Sequence, residues 1–253
     1  MPVDNVSDRM IEQIKRLAEK IDESTRLVVL TGAGVSTDSG IPDFRSQSGT
    51  YSRWDSSRVF DIDYFHRDPE YFFNYAREEL YNFDAIEPNP VHYFLAELEK
   101  SGKLKAVITQ NIDMLHQRAG SRTVYELHGS IQDAHCLKCG KYYEYNTMHE
   151  LVFREAVPVC ACGGIIKPDI VFFGESLPEM AINAAYNISS QTDLFITMGT
   201  SLVVYPAASL PVIAKENGAQ LIIINREATP MDRAADFIVQ AELRDIVHQI
   251  SQF

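Results

Sequence analysis

The side chains best equipped for chemistry in this 253-residue chain fall into four groups. Gln110, Asn111 and Asp113 follow the apolar run Leu104–Thr109 in TQNIDMLH, so a strand ends in two amides and an acid with no serine or cysteine nucleophile beside them. An amide offers a hydrogen-bond donor and an acceptor together, which suits a polar ligand. His128, in Glu126-Leu127-His128-Gly129-Ser130, is the best general-base candidate among seven histidines. It stands at a junction between two lobes, where clefts form, and imidazole titrates near neutrality. Of the others, His92 falls on a core helix, His116 in the helix after the amide cluster and His135 beside the cysteines, while His66, His149 and His248 have no constellation around them.

The third group is Cys136-x-x-Cys139 and Cys160-x-Cys162, separated by 20 residues, close to the ribbon spacing in which four thiolates hold one tetrahedral zinc. Two disulfides or a redox CxxC are the competing uses, the first disfavoured without a secretory signal and the second without a helix N-terminus of its own. Four protein ligands keep no open position, so such a zinc would fold the small lobe and stay away from substrate. The fourth group, Gly32-Ala33-Gly34, opens like a dinucleotide-binding turn but has Thr37 where G-x-G-x-x-G has its third glycine; a tight turn without a ligand is the plain alternative. The acidic ribose ligand of such folds is missing, and the amide of Asn225 can do its work.

These groups need elements to hold them. Met10, Ile11, Ile14, Leu17, Ala18 and Ile21 recur at helical spacing, predicting an amphipathic helix over 8–23 capped by Ser7 or Asp8. The run RLVVLT then feeds the glycine turn, the layout of a buried parallel strand. Leu104–Thr109, Ile170–Phe173, Asp193–Met198, Gln220–Asn225 and Asp236–Val239 have strand character, and Pro90–Lys100, Glu179–Gln191, Ala207–Asn217 and a closing stretch from about Arg244 are helical. Strands alternating with helices predict an α/β fold, a parallel sheet with helices on both faces. Residues 46–89, aromatic and charged and reading as short helices, and 130–167, with all the cysteines, break the alternation. Both read as insertions that form a smaller lobe.

Length allows one large domain or a large domain with an insertion. Thirty-five acidic against 23 basic residues give a net charge of −12, which argues against a nucleic-acid partner, since neutralising phosphates needs clustered cations. MPVDNVSDRM has no apolar signal core, and runs such as Leu221–Ile224 are too short to span a membrane. No membrane association and a cytoplasmic location are expected.

The motifs GAGVSTDSGIPDFR (32–45), TQNIDMLHQRAGS (109–121), ELHGS (126–130), the four cysteines, KPDIVFFGE (167–175), MGTSLVVYPAA (198–208) and IIIN (222–225) resemble those of the sirtuins, NAD-dependent protein-lysine deacylases, in order and over nearly the whole chain from about residue 25. The resemblance implies a Rossmann-like NAD-binding domain (1–45, 90–129 and 168–253) and a small domain of a helical module and a zinc ribbon (46–89 and 130–167). NAD and acyl-lysine would enter the cleft between them from opposite ends. It also implies that no side chain attacks: the acyl oxygen displaces nicotinamide from the ribose C1′, and the products are nicotinamide, deacylated lysine and 2′-O-acyl-ADP-ribose.

In that scheme Asp113 and the backbone of Ile112 bind the nicotinamide carboxamide, Asn111 and Gln110 hold ribose hydroxyls and an ordered water, and His128 takes a proton from a ribose hydroxyl. The catalytic residues implied are His128, Asn111 and Asp113. Gly32, Ala33, Gly34, Thr37, Phe44 and Arg45 line the nicotinamide and phosphate pocket, with Phe44 shielding the reacting carbon from water. Gly199, Thr200, Ser201, Asn225 and Arg226 contact the adenosine side, and Glu242 and Leu243 close the adenine end. The acetylated peptide adds a strand between Val171–Glu175 and Ser201–Tyr205, touching Val171, Phe172, Phe173, Gly174, Val203, Tyr205 and Phe44. Ala76 and Glu79 align with a Tyr and Arg pair that selects succinyl groups in some members, so a carboxylate at Glu79 points to acetyl and other neutral acyls. A monomer is expected. Mono-ADP-ribosyl transfer, NAD hydrolysis and a non-catalytic NAD sensor are the alternative functions.

Overall fold

The computed structural model describes residues 8–82 and 86–250; Ser7, one of the two caps offered for the first helix, lies outside them. The strands described are β1 (Leu27–Thr31), β2 (Leu104–Thr109), β3 (Val124–Glu126), β4 (Gly129–Cys136), β5 (Tyr142–Glu144), β6 (Ile166–Ile170), β7 (Leu194–Met198), β8 (Gln220–Ile224) and β9 (Phe237–Val239). β1 and β7 are buried at every position, the state that an unbroken aliphatic run favours when helices cover both faces of a parallel sheet. Six strands form that sheet in the order β3-β2-β1-β7-β8-β9, every adjacent pair parallel. The order reverses between β1 and β7, and in open sheets of this kind the crevice beyond the strand ends at the reversal is where ligands bind.

Helices Asp8–Glu23, Pro90–Lys100 and Leu243–Ile250 pack one face through Ile14, Leu17, Leu95 and Ile246. Glu179–Ser189 and Leu210–Glu216 pack the other through Ala185, Leu210 and Ala214. The helix Pro90–Lys100 begins where the chain supplies the right groups: Pro90 sits at its first turn, Asn89 accepts from the Val91 amide at 2.9 Å, and His92 Nδ1 accepts from the Asn89 amide at 3.2 Å. The expected fold class is borne out.

Between β1 and β2 run two short helices, Ile62–Arg67 and Pro69–Tyr75, continued by a wider turn over Ala76–Leu80. Between β3 and β7 stand the antiparallel sheet β5-β4-β6 and the helix Tyr145–Arg154. These parts share an aromatic core of Phe60, Phe65, Phe72, Phe73, Tyr75 and Phe172, joined by the buried Cys136 and Cys160. One expectation needs correction. Ile170–Phe173 is not a strand of the parallel sheet: β6 is Ile166–Ile170, pairs antiparallel with β4 and ends where Phe173 turns its amide to the Phe60 carbonyl. The glycine turn after β1 leads into tight turns at Ala33–Val35 and Thr37–Ser39. No helix among the described residues is long and apolar enough to cross a membrane.

Candidate functional site

Beyond the carboxyl ends of β1 and β7 the two turns interlock. The Gly34 amide donates to the Gly199 carbonyl at 2.9 Å, and a Cβ on Gly34 would lie 2.9 Å from Gly199 Cα. Only glycine allows this approach, which leaves backbone exposed at the crevice. Thr37, in the place of the third glycine, turns its hydroxyl to the Gly34 carbonyl at 3.0 Å and so closes the turn by itself.

The amide and acid cluster forms the floor. Gln110 Nε2 donates to Thr200 Oγ1 at 2.9 Å, tying β2 to the turn after β7. Asn111 Nδ2 donates to Ser36 Oγ at 3.1 Å, and Ser36 Oγ donates to Asp113 Oδ2 at 2.6 Å. The other carboxylate oxygen accepts from the Leu115 amide at 2.9 Å. Asn111 and Asp113 are each 7% exposed. Burial pushes the Asp113 carboxyl up, and the hydrogen bonds from Ser36 and Leu115 oppose the shift. Behind the floor His116 Nε2 lies 3.0 Å from Thr31 Oγ1, and the His92 and His116 rings meet at 4.9 Å. Burial pushes His92 down to about 4 and His116 down to about 3, so both are neutral props of the floor.

His128 stands between floor and cleft. Its Nδ1 lies 2.9 Å from the Gln110 carbonyl oxygen, which can only accept, so Nδ1 carries the proton and Nε2 of the neutral ring keeps its lone pair. Burial pulls His128 below the ordinary histidine value, with the bond to Gln110 opposing. Gly129 next to it has φ 71, and a Cβ there would lie 1.9 Å from the Asp169 carbonyl oxygen. The glycine after the histidine is therefore imposed by close contact with β6.

These elements enclose a cavity of about 630 Å³. Gly32, Ala33, Gly34, Thr37, Phe44, Arg45, Gln110, Asn111, Ile112 and His128 line it, with Val171, Phe172, Phe173, Gly174, Gly199, Thr200, Ser201, Tyr205, Asn225, Arg226, Glu242 and Leu243. Two predicted residues stand apart. Asp113 faces a side pocket of about 30 Å³ that shares Ala33, Phe44, Asn111 and Ile112 with the main cavity. Val203 is exposed and outside the wall, because Leu202 at φ 53 buries its own side chain and turns the next outward. Arg226 Nη1 lies 3.8 Å from Glu242 Oε1.

The reading of Glu79 as a charge facing the acyl group does not hold. Its carboxylate accepts from Trp54 Nε1 at 2.7 Å and Thr50 Oγ1 at 3.2 Å and pairs with Arg53 at 3.0 Å, so its charge is neutralised away from the main cavity. Ala76 is wholly buried in the aromatic core. Tyr51 and Phe60 wall the cavity instead, packed against Phe44 at 5.5 and 5.9 Å between ring centres.

The four cysteines are free, and their sulfur atoms all lie within 4.8 Å of one another. The Cys136–Cys162 and Cys139–Cys160 separations are 3.5 and 3.7 Å, against about 3.8 Å for thiolates about 2.3 Å from one tetrahedral ion. The donor set fits zinc.

The sequence pattern of the Sir2 family matches residues 32–206. The chain belongs to the Sir2 family. It is 43% identical to an NAD-dependent protein deacetylase of Thermotoga maritima, over 95% of this chain and 98% of that protein. A solved Sir2 with a p53 peptide and NAD+ superposes with a TM-score of 0.88 at 43% identity, covering 94% of this chain and 97% of the other. A Sir2 variant with deacetylated p53 peptide and 3′-O-acetyl-ADP-ribose gives a TM-score of 0.91 at 42% identity, over 95% and 98%. Within the Sir2 fold of this chain, Ser36 is the residue that sequence reasoning missed. It lies inside the quoted glycine motif, and its signal was a small hydroxyl next to a ligand-binding turn, one residue before the threonine that drew attention. Tyr51 and Phe60 were missed because an aromatic-rich segment does not reveal which rings face a cavity.

Proposed function

We propose that the chain removes acetyl and other neutral acyl groups from protein lysines at the expense of NAD, giving nicotinamide and 2′-O-acyl-ADP-ribose. The observation that carries the reading is one cavity that brings together a proton-accepting histidine, the amides Gln110 and Asn111 and an apolar acyl end, with the buried acid Asp113 in a side pocket that shares Asn111 and Ile112 with it. When bound, NAD supplies a sugar carbon from which nicotinamide departs and at which the acyl oxygen takes its place. The turn at Gly32–Gly34, whose Gly32 and Gly34 amides are spent on the Met198 and Gly199 carbonyls, and the side chains of Thr200, Ser201 and Asn225 hold the phosphates and adenosine, with Arg226, Glu242 and Leu243 at the adenine end. Asp113 and the Ile112 backbone receive the nicotinamide carboxamide in the side pocket, and Asn111 and Gln110 orient the ribose. Ser36 keeps Asn111 and Asp113 in register, because its hydroxyl accepts from one and donates to the other.

His128 Nε2 accepts the proton of a ribose hydroxyl, and the Gln110 carbonyl stabilises the imidazolium so formed. Phe44 with Tyr51 and Phe60 excludes water from the reacting carbon. These rings and Ile112 and Phe172 make the acyl end apolar, which favours neutral acyl groups over dicarboxylic ones because an unpaired carboxylate would be desolvated there. Cys136, Cys139, Cys160 and Cys162 hold one structural Zn2+ outside the reaction. The division into an NAD-binding domain (1–45, 90–129, 168–253) and a small domain (46–89, 130–167) follows the separate aliphatic and aromatic cores except at Ile170 and Phe172, which pack in the aromatic one. Partners are acetyl-lysine proteins rather than nucleic acid, in keeping with the net charge of −12. Incubation with NAD and an acetyl-lysine peptide should give nicotinamide and deacetylated peptide in equal amounts; acetate released without nicotinamide would sink the reading.

A further inference from the structure

Beneath the segment 171–175, which walls the acyl end of the cleft, lies an ion pair that the chemistry above does not use. The Lys167 side chain is 6% exposed. Its Nζ donates to the Ile170 carbonyl at 2.7 Å and to Glu175 Oε2 at 2.9 Å, and it sits 4.1 Å from the centre of the Phe172 ring. The same Glu175 oxygen accepts from the Phe172 amide at 2.7 Å. One ammonium and one carboxylate oxygen thus fasten the segment at Ile170, Phe172 and Glu175 together. From there the chain hands its geometry on: the Val171 amide donates to the His128 carbonyl at 2.9 Å and the Phe173 amide to the Phe60 carbonyl at 2.7 Å.

We propose that Lys167 and Glu175 are a positioning clamp that fixes the course of residues 170–175 and so sets the seat of the acyl-lysine segment, without touching the reacting atoms. The inference rests on the deacylase reading above. A buried ion pair is a poor source of net stability, since apolar residues of similar volume do as well, but removing one partner strands the other charge. Burial draws the Lys167 pKa down while Glu175 and Asp169 oppose it, so the ammonium depends on the carboxylate it holds. The clamp lies on the peptide side of the cleft, whereas the glycine turns and the floor stand on β1, β2 and β7, so the two substrates should feel its loss differently.

The test uses the full metal-loaded chain with Lys167→Met, Glu175→Gln and Lys167→Arg. Lys167→Met should raise KM for an acetyl-lysine peptide about tenfold and leave KM for NAD within about twofold, the signature of lost binding of one substrate. Glu175→Gln, which still accepts from the Phe172 amide, should give a smaller rise of about threefold, and Lys167→Arg, which keeps the charge and the ring contact, should stay within about threefold of wild type. Hydrogen exchange at the Val171 and Phe172 amides should quicken in Lys167→Met. An unchanged peptide KM, or an equal rise for both substrates with a lowered melting temperature, would overturn the clamp. Should Lys167→Met fail to fold, a Glu175→Gln protein with wild-type peptide KM and exchange overturns it equally. If the wild type releases no nicotinamide, the deacylase reading fails, and peptide binding by fluorescence anisotropy with amide exchange still judges the clamp.

Discussion

The two regions that meet at the cleft are built from different materials. The parallel sheet packs Ile, Leu and Val on both faces, and its strands hand the polar groups of the floor to the crevice at fixed register. The β5-β4-β6 region and the short helices before β2 pack aromatic rings edge to face or tilted around Phe60, Phe65, Phe72 and Phe172 and gather four cysteine sulfurs within 4.8 Å of one another, a set that as thiolates would repel unless a cation joined it. The first region can stand on its own burial. The second gathers a metal-ligand set and a few specific contacts, and that difference divides the cavity: Gly34, Gln110 and Thr200 stand at the sheet, and Tyr51, Phe60 and Phe172 on the aromatic side.

The strongest way to break this contrast is to remove the metal. Binding free energy at a structural zinc is folding free energy, about 10 kcal/mol or more in zinc-finger peptides. Chelation, or Cys160→Ala, should therefore melt the cysteine-bearing region, seen as fast hydrogen exchange over β4–β6 with protection retained in β1, β2 and β7. Metal analysis should find about one zinc per chain. Exchange rising equally in both regions would show that they are not separate. Next in size is His128→Ala, which should keep the fold and lower turnover by about 10²–10⁴, the contribution of a positioned general base. Since burial lowers the His128 pKa and the neutral ring is the active form, the acidic limb of the kcat/KM profile, which reports the free enzyme, should fall below pH 6.5; an inflection above it contradicts the assignment.

Acid should strike the sheet side through His92 and His116, held at about 4 and about 3 against an ordinary 6.5. The unfolded chain binds more protons than the folded one between those values, so stability is retained above pH 6.5 and lost as pH falls towards 4, by up to about 1.4 kcal/mol per pH unit for each histidine. Chemical denaturation across that range measures it, and His116→Gln should lessen the slope. The smallest effect is at Ser36: Ser36→Ala leaves Asp113 Oδ2 without its donor, costs about 1–3 kcal/mol and should weaken nicotinamide inhibition more than adenosine binding. An unchanged inhibition constant would detach Ser36 from the floor.

How far the sequence carried differs along the same line. Buried aliphatic strands announce themselves by continuous runs, so β1, β2, β7, β8 and the helices Pro90–Lys100 and Glu179–Ser189 were legible nearly to the residue. β4 was not: in GSIQDAHC the residues that turn inward, Ile131, Ala134 and Cys136, include a small and a metal-ligating side chain, and the apolar alternation is faint. Ile170–Phe173 misled because its aromatic run looks like a parallel strand, while the Lys167–Glu175 pair and the aromatic core draw it into a loop. The cleft was legible as motifs, because Gly34, Asn111 and His128 are each tied to a local backbone geometry. Glu79 and Ser36 were not, since whom a side chain meets across 25 or more residues depends on packing that no local pattern records.

The central claim, that the acyl oxygen replaces nicotinamide at the sugar carbon above the Gln110–Asp113 floor, is tested most directly with a peptide whose acetyl-lysine carbonyl carries ¹⁸O. The account predicts that mass spectrometry finds the label on the C1′ oxygen of the ADP-ribose product. Label recovered in the acetyl group or in free acetate, with an unlabelled sugar, would contradict it.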